Sequence, residues 1–238
     1  LKGSTPSLLR SQTKAAAIFV ITFAFSYALA SFDWIMSVEP HWFSTIFAIY
    51  CFSGMFVNGL VMVVLSLLVL QHLGYLKDVI NENHYHDLGK MIFGFSTFWA
   101  YIWFSQYMLI WYSNIPEETI YYVIRDQNSW DWFFYANLIF NWVVPFLALM
   151  PRGSKRNTWI LTRVCIFMLV AHWFDLYVMV APKIFAHAKV VHSVGLVEIF
   201  MALGFAGAFV LVLMKNLSKA NLVANNDPYL EEGIHLHQ

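Results

Sequence analysis

Six stretches of this 238-residue chain run on with almost no charge: Ala15–Met36, Phe43–Leu70, Leu88–Trp111, Trp132–Leu149, Trp159–Val180 and Val194–Met214. At about 1.5 Å of helical rise per residue each reaches the ~30 Å of a bilayer core, Trp132–Leu149 only just. Lipid offers a backbone no hydrogen-bonding partner, so such stretches must satisfy themselves as helices. The strict alternation of a membrane barrel strand is absent. Apolar and aromatic residues make up 60% of the chain and charged residues 12%, a balance that suits lipid as the solvent. The expected fold class is all-α: a polytopic membrane helical bundle of six transmembrane helices. Residues 1–14 read as a cytoplasmic segment, 15–214 as the transmembrane domain, and 215–238 as a polar cytoplasmic tail, disordered or draped over a partner.

Basic residues fix the expected orientation. Lys2, Arg10, Lys14, Lys77, Lys90, Arg152, Lys155, Arg156, Arg163, Lys215 and Lys219 fall on one side, against Arg125, Lys183 and Lys189 on the other. The positive-inside rule places both ends of the sequence in the cytoplasm. Ser37–Trp42, Ser113–Trp130 and Ala181–His192 are then outer loops, with Trp34, Trp42, Trp111, Tyr112, Trp130 and Trp132 as the aromatic belt. A net formal charge of zero gives no reason to expect nucleic acid. Leu1 stands where Met would begin a chain, so a piece of a longer polypeptide is expected.

Several local features carry structural expectations. Pro116 followed by Glu117 and Glu118 predicts the first turn of a surface helix, since proline suits that position and acids complement the helix dipole. Pro145 cannot donate to the Asn141 carbonyl and predicts a kink. Asn137 and Asn141, four apart, share a face and are placed to bond across helices. Ala202, Gly204, Ala206 and Ala208 predict close approach of the last helix to a neighbour. Cys51 and Cys165 belong to no metal or haem-attachment motif and read as small buried residues.

Charge inside a membrane is the strongest functional pointer, because one carboxylate at a helix centre costs about 2.5–3.5 kcal/mol. Asp33, Asp175 and Glu198 all fall in the expected outer leaflet, with Gln106 at similar depth. His172 precedes Asp175 by three residues and shares its helical face. Glu39 and His41 occupy the outer hairpin. Either each acid is paired locally and stitches helices together, or the group forms a route that takes up and passes protons. Burial and a neighbouring imidazolium act in opposite senses on a carboxyl, which suits it to proton exchange near neutrality. Asp87, with His84 and His86 before it, reads as a wet helix start or the mouth of such a route. Haem or copper between helices would need histidines facing each other inside the bilayer; His172 alone lies clearly within a span, while His72 and His192 lie at ends.

Longer motifs add a family resemblance. Phe32-Asp33-Trp34-Ile35-Met36-Ser37-Val38-Glu39-Pro40-His41-Trp42-Phe43-Ser44-Thr45 resembles a hallmark of the quinol-oxidising membrane subunits of bacterial alternative complex III. So do Asp87-Leu88-Gly89-Lys90, Phe98-Trp99-Ala100-Tyr101-Ile102-Trp103-Phe104-Ser105-Gln106-Tyr107 and Trp111-Tyr112-Ser113-Asn114-Ile115-Pro116-Glu117-Glu118-Thr119. The likeness spans most of residues 30–215 and is nearest to the F subunit, an NrfD-like protein similar to the polysulfide reductase membrane subunit. It implies a quinol:electron-acceptor oxidoreductase of the bacterial cytoplasmic (inner) membrane, supporting quinol oxidation, proton translocation or both. By the same resemblance, spans two to five form the second NrfD-like four-helix bundle, with a flanking helix on either side. The subunit would carry no redox cofactor of its own, with menaquinol or another quinol as the molecule served. Its partners would be lipids, a second NrfD-like subunit, and peripheral iron–sulfur and c-type haem subunits. Asp33, Glu39, His41, His172, Asp175 and Glu198 are the expected proton relay, and Tyr101 and Gln106 the quinol-orienting groups. The competing reading is a non-catalytic scaffold for the peripheral subunits, with every acid tightly ion-paired; a secondary transporter would need interrupted helices and an internal repeat.

Overall fold

The computed structural model describes residues 6–77, 79–126, 130–188, 195–223 and 230–235. Regular structure among them is entirely helical: α1 (Pro6–Trp34), a 3-10 turn (Met36–Val38), α2 (Phe47–His72), α3 (Glu82–Ser113) and α4 (Pro116–Arg125) come first. Then α5 (Trp130–Leu138) runs through a π turn (Ile139–Val143) into α6 (Val144–Leu149), followed by α7 (Arg152–Arg156), α8 (Thr158–Ala188), α9 (Leu196–Leu217) and α10 (Leu230–Ile234). Five segments are long and apolar enough to cross a membrane: Arg10–Val38, Phe47–His72, Trp130–Leu149, Thr158–Ala186 and Leu196–Leu217. The expected third span lies in α3, which is long enough but is not among the five. Its apolar part is built as much from Trp, Tyr, Ser, Thr and Gln as from aliphatic residues, and its start carries Glu82, Asp87 and Lys90.

Boundaries move where local chemistry overrides apolarity. Helix α1 already begins at Pro6, so residues 6–14 extend the first helix instead of forming a separate segment. Helix α8 passes through Pro182 to Ala188, so most of the expected outer loop Ala181–His192 is helical; Lys189–His192 lie outside the described residues. Pro116 does open α4, with Glu117 and Glu118 in its first turn. Before Pro145 the chain takes a π turn, which absorbs the register change that the missing N–H imposes.

Helices α2, α3, α5–α6 and α8 pack against one another; α1 lies chiefly along α2. No part of the apolar window of α9 is buried among the described residues. A Cβ added at Gly204 or Gly207 would meet nothing within 4 Å, so these two glycines of α9 approach no neighbour among the described residues. Two apolar cores stack along the four packed helices. Trp42, Phe47, Tyr50, Trp99, Trp103, Phe134 and Met179 form an aromatic one. Val57, Val61, Val64, Ile92, Leu149, Leu161 and Met168 form an aliphatic one. Between them every packed helix contributes buried polar groups: Ser53 from α2, Ser96 from α3, Asn137 and Asn141 from α5 and its π turn, His172 and Asp175 from α8. Trp42 and Trp130, expected in the aromatic belt, are buried instead; Trp34, Trp111, Tyr112 and Trp132 are exposed.

The aliphatic end is closed by side chains that answer helix termini. Asn81 caps α3, its side chain accepting from the Asn83 and His84 N–H groups while His84 Nδ1 accepts from the Asn81 N–H. Lys155 Nζ donates to the carbonyls of Leu149 (2.6 Å) and Met150 (3.1 Å), which end the α5–α6 rod. A Cβ at Gly89 would lie 3.0 Å from Lys155 Cγ, so the bare glycine admits the lysine stem. Arg156 donates to Asn83 Oδ1 at 2.7 Å, and Asn81 Nδ2 donates to the Ile234 carbonyl, bringing α10 to this end. His86, ahead of the apolar part of α3, is held below its ordinary value by burial and by Lys90, Arg156, Arg152 and Lys155. The unfolded chain therefore binds that proton more readily. Stability from the neutral ring is full above the ordinary 6.5 and is lost as pH falls through the lower folded value. Thermal unfolding in detergent should show the midpoint dropping on acidification below that point, with a shallower drop for His86→Gln; parallel pH profiles would contradict this.

Candidate functional site

Asp175 is fully buried on α8, with its Oδ1 receiving the Tyr50 hydroxyl from α2 and Asn137 Nδ2 from α5 at 2.6 Å. Asn141 Nδ2 donates back to Asn137 Oδ1 (2.7 Å) and across to the Ala171 carbonyl (3.0 Å). The two asparagines thus cross-link helices as their spacing suggests. His172 Nδ1 stands 3.7 Å from Asp175 Oδ2, beyond hydrogen-bond length. Trp99 Nε1 faces the same carboxylate without adequate hydrogen-bond geometry, and Asp175 Oδ2 is left with no partner. His172 fits because α2 has a glycine there: a Cβ on Gly54 would lie 2.3 Å from His172 Cε1.

Two small cavities lie along the bundle here, one lined by Asp175 and the other by His172. The outer one, ≈ 10 Å³, is lined by Tyr50, Gln106, Tyr121, Arg125, Asn137 and Asp175 among others. The second, also ≈ 10 Å³, is lined by Gly54, Asn58, Trp99, Asn141, Met168 and His172. Each has room for about one water molecule. Buried atoms at or beside them have no partner: Gln106 Oε1 and Asp175 Oδ2 outside, Asn58 Oδ1 and Trp99 Nε1 inside.

The outer cavity ends on a clamp. Arg125, 1% exposed, donates from Nη2 to Glu39 Oε1 (2.8 Å) and to the Met179 carbonyl (2.6 Å). Its Nε donates to the Val178 carbonyl (3.1 Å), its Nη1 to the Tyr121 carbonyl (2.7 Å), and the guanidinium lies 3.4 Å from the Tyr121 ring centroid. Pro182 has no N–H for the Val178 carbonyl four residues back, and Arg125 supplies the missing donor. That is why α8 continues past its proline. Trp42 stacks on Tyr121 at 4.1 Å and donates to the Glu118 carbonyl at 3.0 Å, fastening α4 to the hairpin. Burial pushes the Tyr121 and Tyr122 phenols up, so both stay protonated. Glu39 Oε2 has no partner.

The expected relay residues therefore separate. His172 and Asp175 adjoin one another, Gln106 lines the outer cavity, and Glu39 lies beyond it against Arg125. Asp33 and His41 are exposed, at the end of α1 and in the hairpin. Glu198 does not reach Asp175: its carboxylate accepts from the Gly195 N–H at 2.9 Å and caps α9. Tyr101 is 63% exposed and turned away from Gln106. Arg125, Tyr50 and Trp99 belong to the site without having been expected there. Arg125 read as one of the few outer-loop charges; the free carbonyl implied by Pro182 was the signal that a buried donor was needed.

No family model matches the sequence, and no curated protein matches it. A quinol headgroup does not fit either cavity, since a substituted six-membered ring is far larger than one water. What the arrangement offers is a buried carboxylate beside a buried imidazole, with a water-sized cavity on each.

Arg125→Met leaves Glu39 buried and unpaired and should cost about 3–5 kcal/mol in unfolding experiments. Adding Glu39→Gln should recover roughly 1–3 kcal/mol of that loss, and strict additivity would refute the coupling. Gly54→Ala drives a methyl into His172 and should cost about 1–3 kcal/mol; a variant as stable as the parent would mean the imidazole has another place to go.

Proposed function

We propose that this chain is a membrane subunit of a quinol:electron-acceptor oxidoreductase resembling alternative complex III. Its own part is to pass protons along the buried polar layer centred on Asp175. One observation carries this reading. A fully buried carboxylate stands among four packed helices with no lysine or arginine paired to it among the described residues, and with one oxygen unbonded. A purely structural buried acid would be expected to have a cation against it, as Glu39 has Arg125. A proton arriving through His172 or a water in the inner cavity adds to Oδ2, and the same carboxyl releases it to a water in the outer cavity. Asp175 ends as it began, so only a proton moves. Quinol chemistry belongs, in this reading, to a partner subunit.

The reading has architectural consequences. Helix α3 crosses as the third of six spans, both ends lie in the cytoplasm, and α2, α3, α5–α6 and α8 are the second NrfD-like four-helix bundle. The membrane is the bacterial inner membrane. A second NrfD-like subunit and peripheral iron–sulfur and c-type haem subunits are the partners.

A scaffold role has its own support in the Glu39–Arg125 pair, which is fully desolvated and anchors hairpin, α4 and α8 together. Helix α4 also exposes Ile120 and Val123, with Ile115 just before its start. Asp175→Asn distinguishes the two. In the assembled complex it should lower quinol-driven proton release about a hundredfold or more, the usual scale for removing a positioned proton-transfer group. Glu198→Gln should leave proton release unchanged. Normal proton stoichiometry in Asp175→Asn would leave the scaffold reading standing.

A further inference from the structure

We propose that the end of the bundle where α3 begins against α7 is a binding site for the phosphate of an anionic phospholipid headgroup. Lys90 of α3 and Arg152, Lys155 and Arg156 of α7 surround the imidazole of His86 closely enough to act on it electrostatically. Lys90 is one helical turn beyond His86, while Gly89 lets the Lys155 stem against α3 and Arg156 holds Asn83. Lys90 also pairs with Asp87 at 2.7 Å. Glu82 and Asp87 of α3 and Glu231 and Glu232 of α10 stand at the same end, but the charges that act on His86 are the four cations.

The second observation is His86 itself. It is 8% exposed, and its Nδ1 has no hydrogen-bond partner. An unanswered buried nitrogen is costly, and protonation cannot relieve it inside a ring of cations. A phosphate oxygen accepting from Nδ1–H, in that tautomer, would satisfy the nitrogen and oppose the surrounding charge at once. Charge-assisted bonds of this kind are the strong ones.

Lipid is favoured over free phosphate by the flanks of the cluster. Met91 follows Lys90 and Met150 precedes Arg152 by two residues, and both are exposed. The cations thus stand at the edge of apolar surface along which an acyl chain can run. Basic pockets at the water boundary of helical bundles bind anionic headgroups for this reason. The site is independent of the proton route and lies at the opposite end of the bundle from the Arg125 clamp.

The test uses the full chain in phosphatidylcholine nanodiscs doped with phosphatidylglycerol, with retained lipid counted by native mass spectrometry. The parent should retain phosphatidylglycerol over phosphatidylcholine. Lys90→Gln with Arg152→Gln should lower that retention roughly thirtyfold, at about fivefold per basic residue. Lys215→Gln with Lys219→Gln removes equal charge elsewhere and should change nothing. His86→Phe, which loses a donor without altering net charge, should weaken retention about tenfold. Circular dichroism checks that each variant is folded, and should His86→Phe fail to fold, the two charge pairs decide. Equal retention of the two lipids, or equal loss in both double variants, would overturn the proposal. Displacement of the lipid by inorganic phosphate would overturn it in favour of a free-anion site.

Discussion

A bilayer answers no backbone carbonyl, so each proline within a span must be compensated by the protein. Two prolines test that rule here, with different solutions. At Pro145 the helix changes register through a π turn and buries Asn141 there. At Pro182 the helix keeps its course and borrows a donor from outside, the Arg125 guanidinium, which answers Val178 and Met179 together. The borrowed donor brings a charge, and Glu39 is the counter-ion that makes its burial tolerable. The outer architecture follows from that exchange: hairpin, surface helix and the far end of α8 are held by one side chain.

The buried acids consequently stand in opposite situations. Glu39 faces a cation that is saturated on every side and has little freedom to exchange anything. Asp175 has only neutral donors, Tyr50 and Asn137, on one oxygen, and a gap before His172 on the other. Between the aromatic and aliphatic cores, the hydrogen-bonded asparagines fix that carboxylate in place, with one water-sized opening on Asp175 and another on His172.

Much of this was legible in the sequence, because burial in lipid leaves a strong compositional trace. Long apolar runs located the helices, Pro116 with two glutamates opened α4, and spacing put Asn137 with Asn141 on one helical face and His172 with Asp175 on another; that the two faces meet came from packing. Depth along a helix was readable; direction around it was not. Asp33, Tyr101 and Glu198 lie at levels that suit a site, yet they point outward or cap their own helix, since which side a residue faces is decided by packing. Arg125 shows the converse: a charge between spans looks solvated unless the carbonyl it answers, on α8, is considered. The helical content of α3 was plain; its buried face carries Trp99, Trp103 and Gln106, and its exposed face Tyr101, Phe104 and Leu109.

The grip of Arg125 on α8 lies one turn beyond Asp175. A guanidinium that holds both a surface helix and the carbonyls of Val178 and Met179 turns α4 into a short lever. Whatever meets its outward side, where Ile120 and Val123 are bare, meets an element tied directly to the rod that carries the carboxylate.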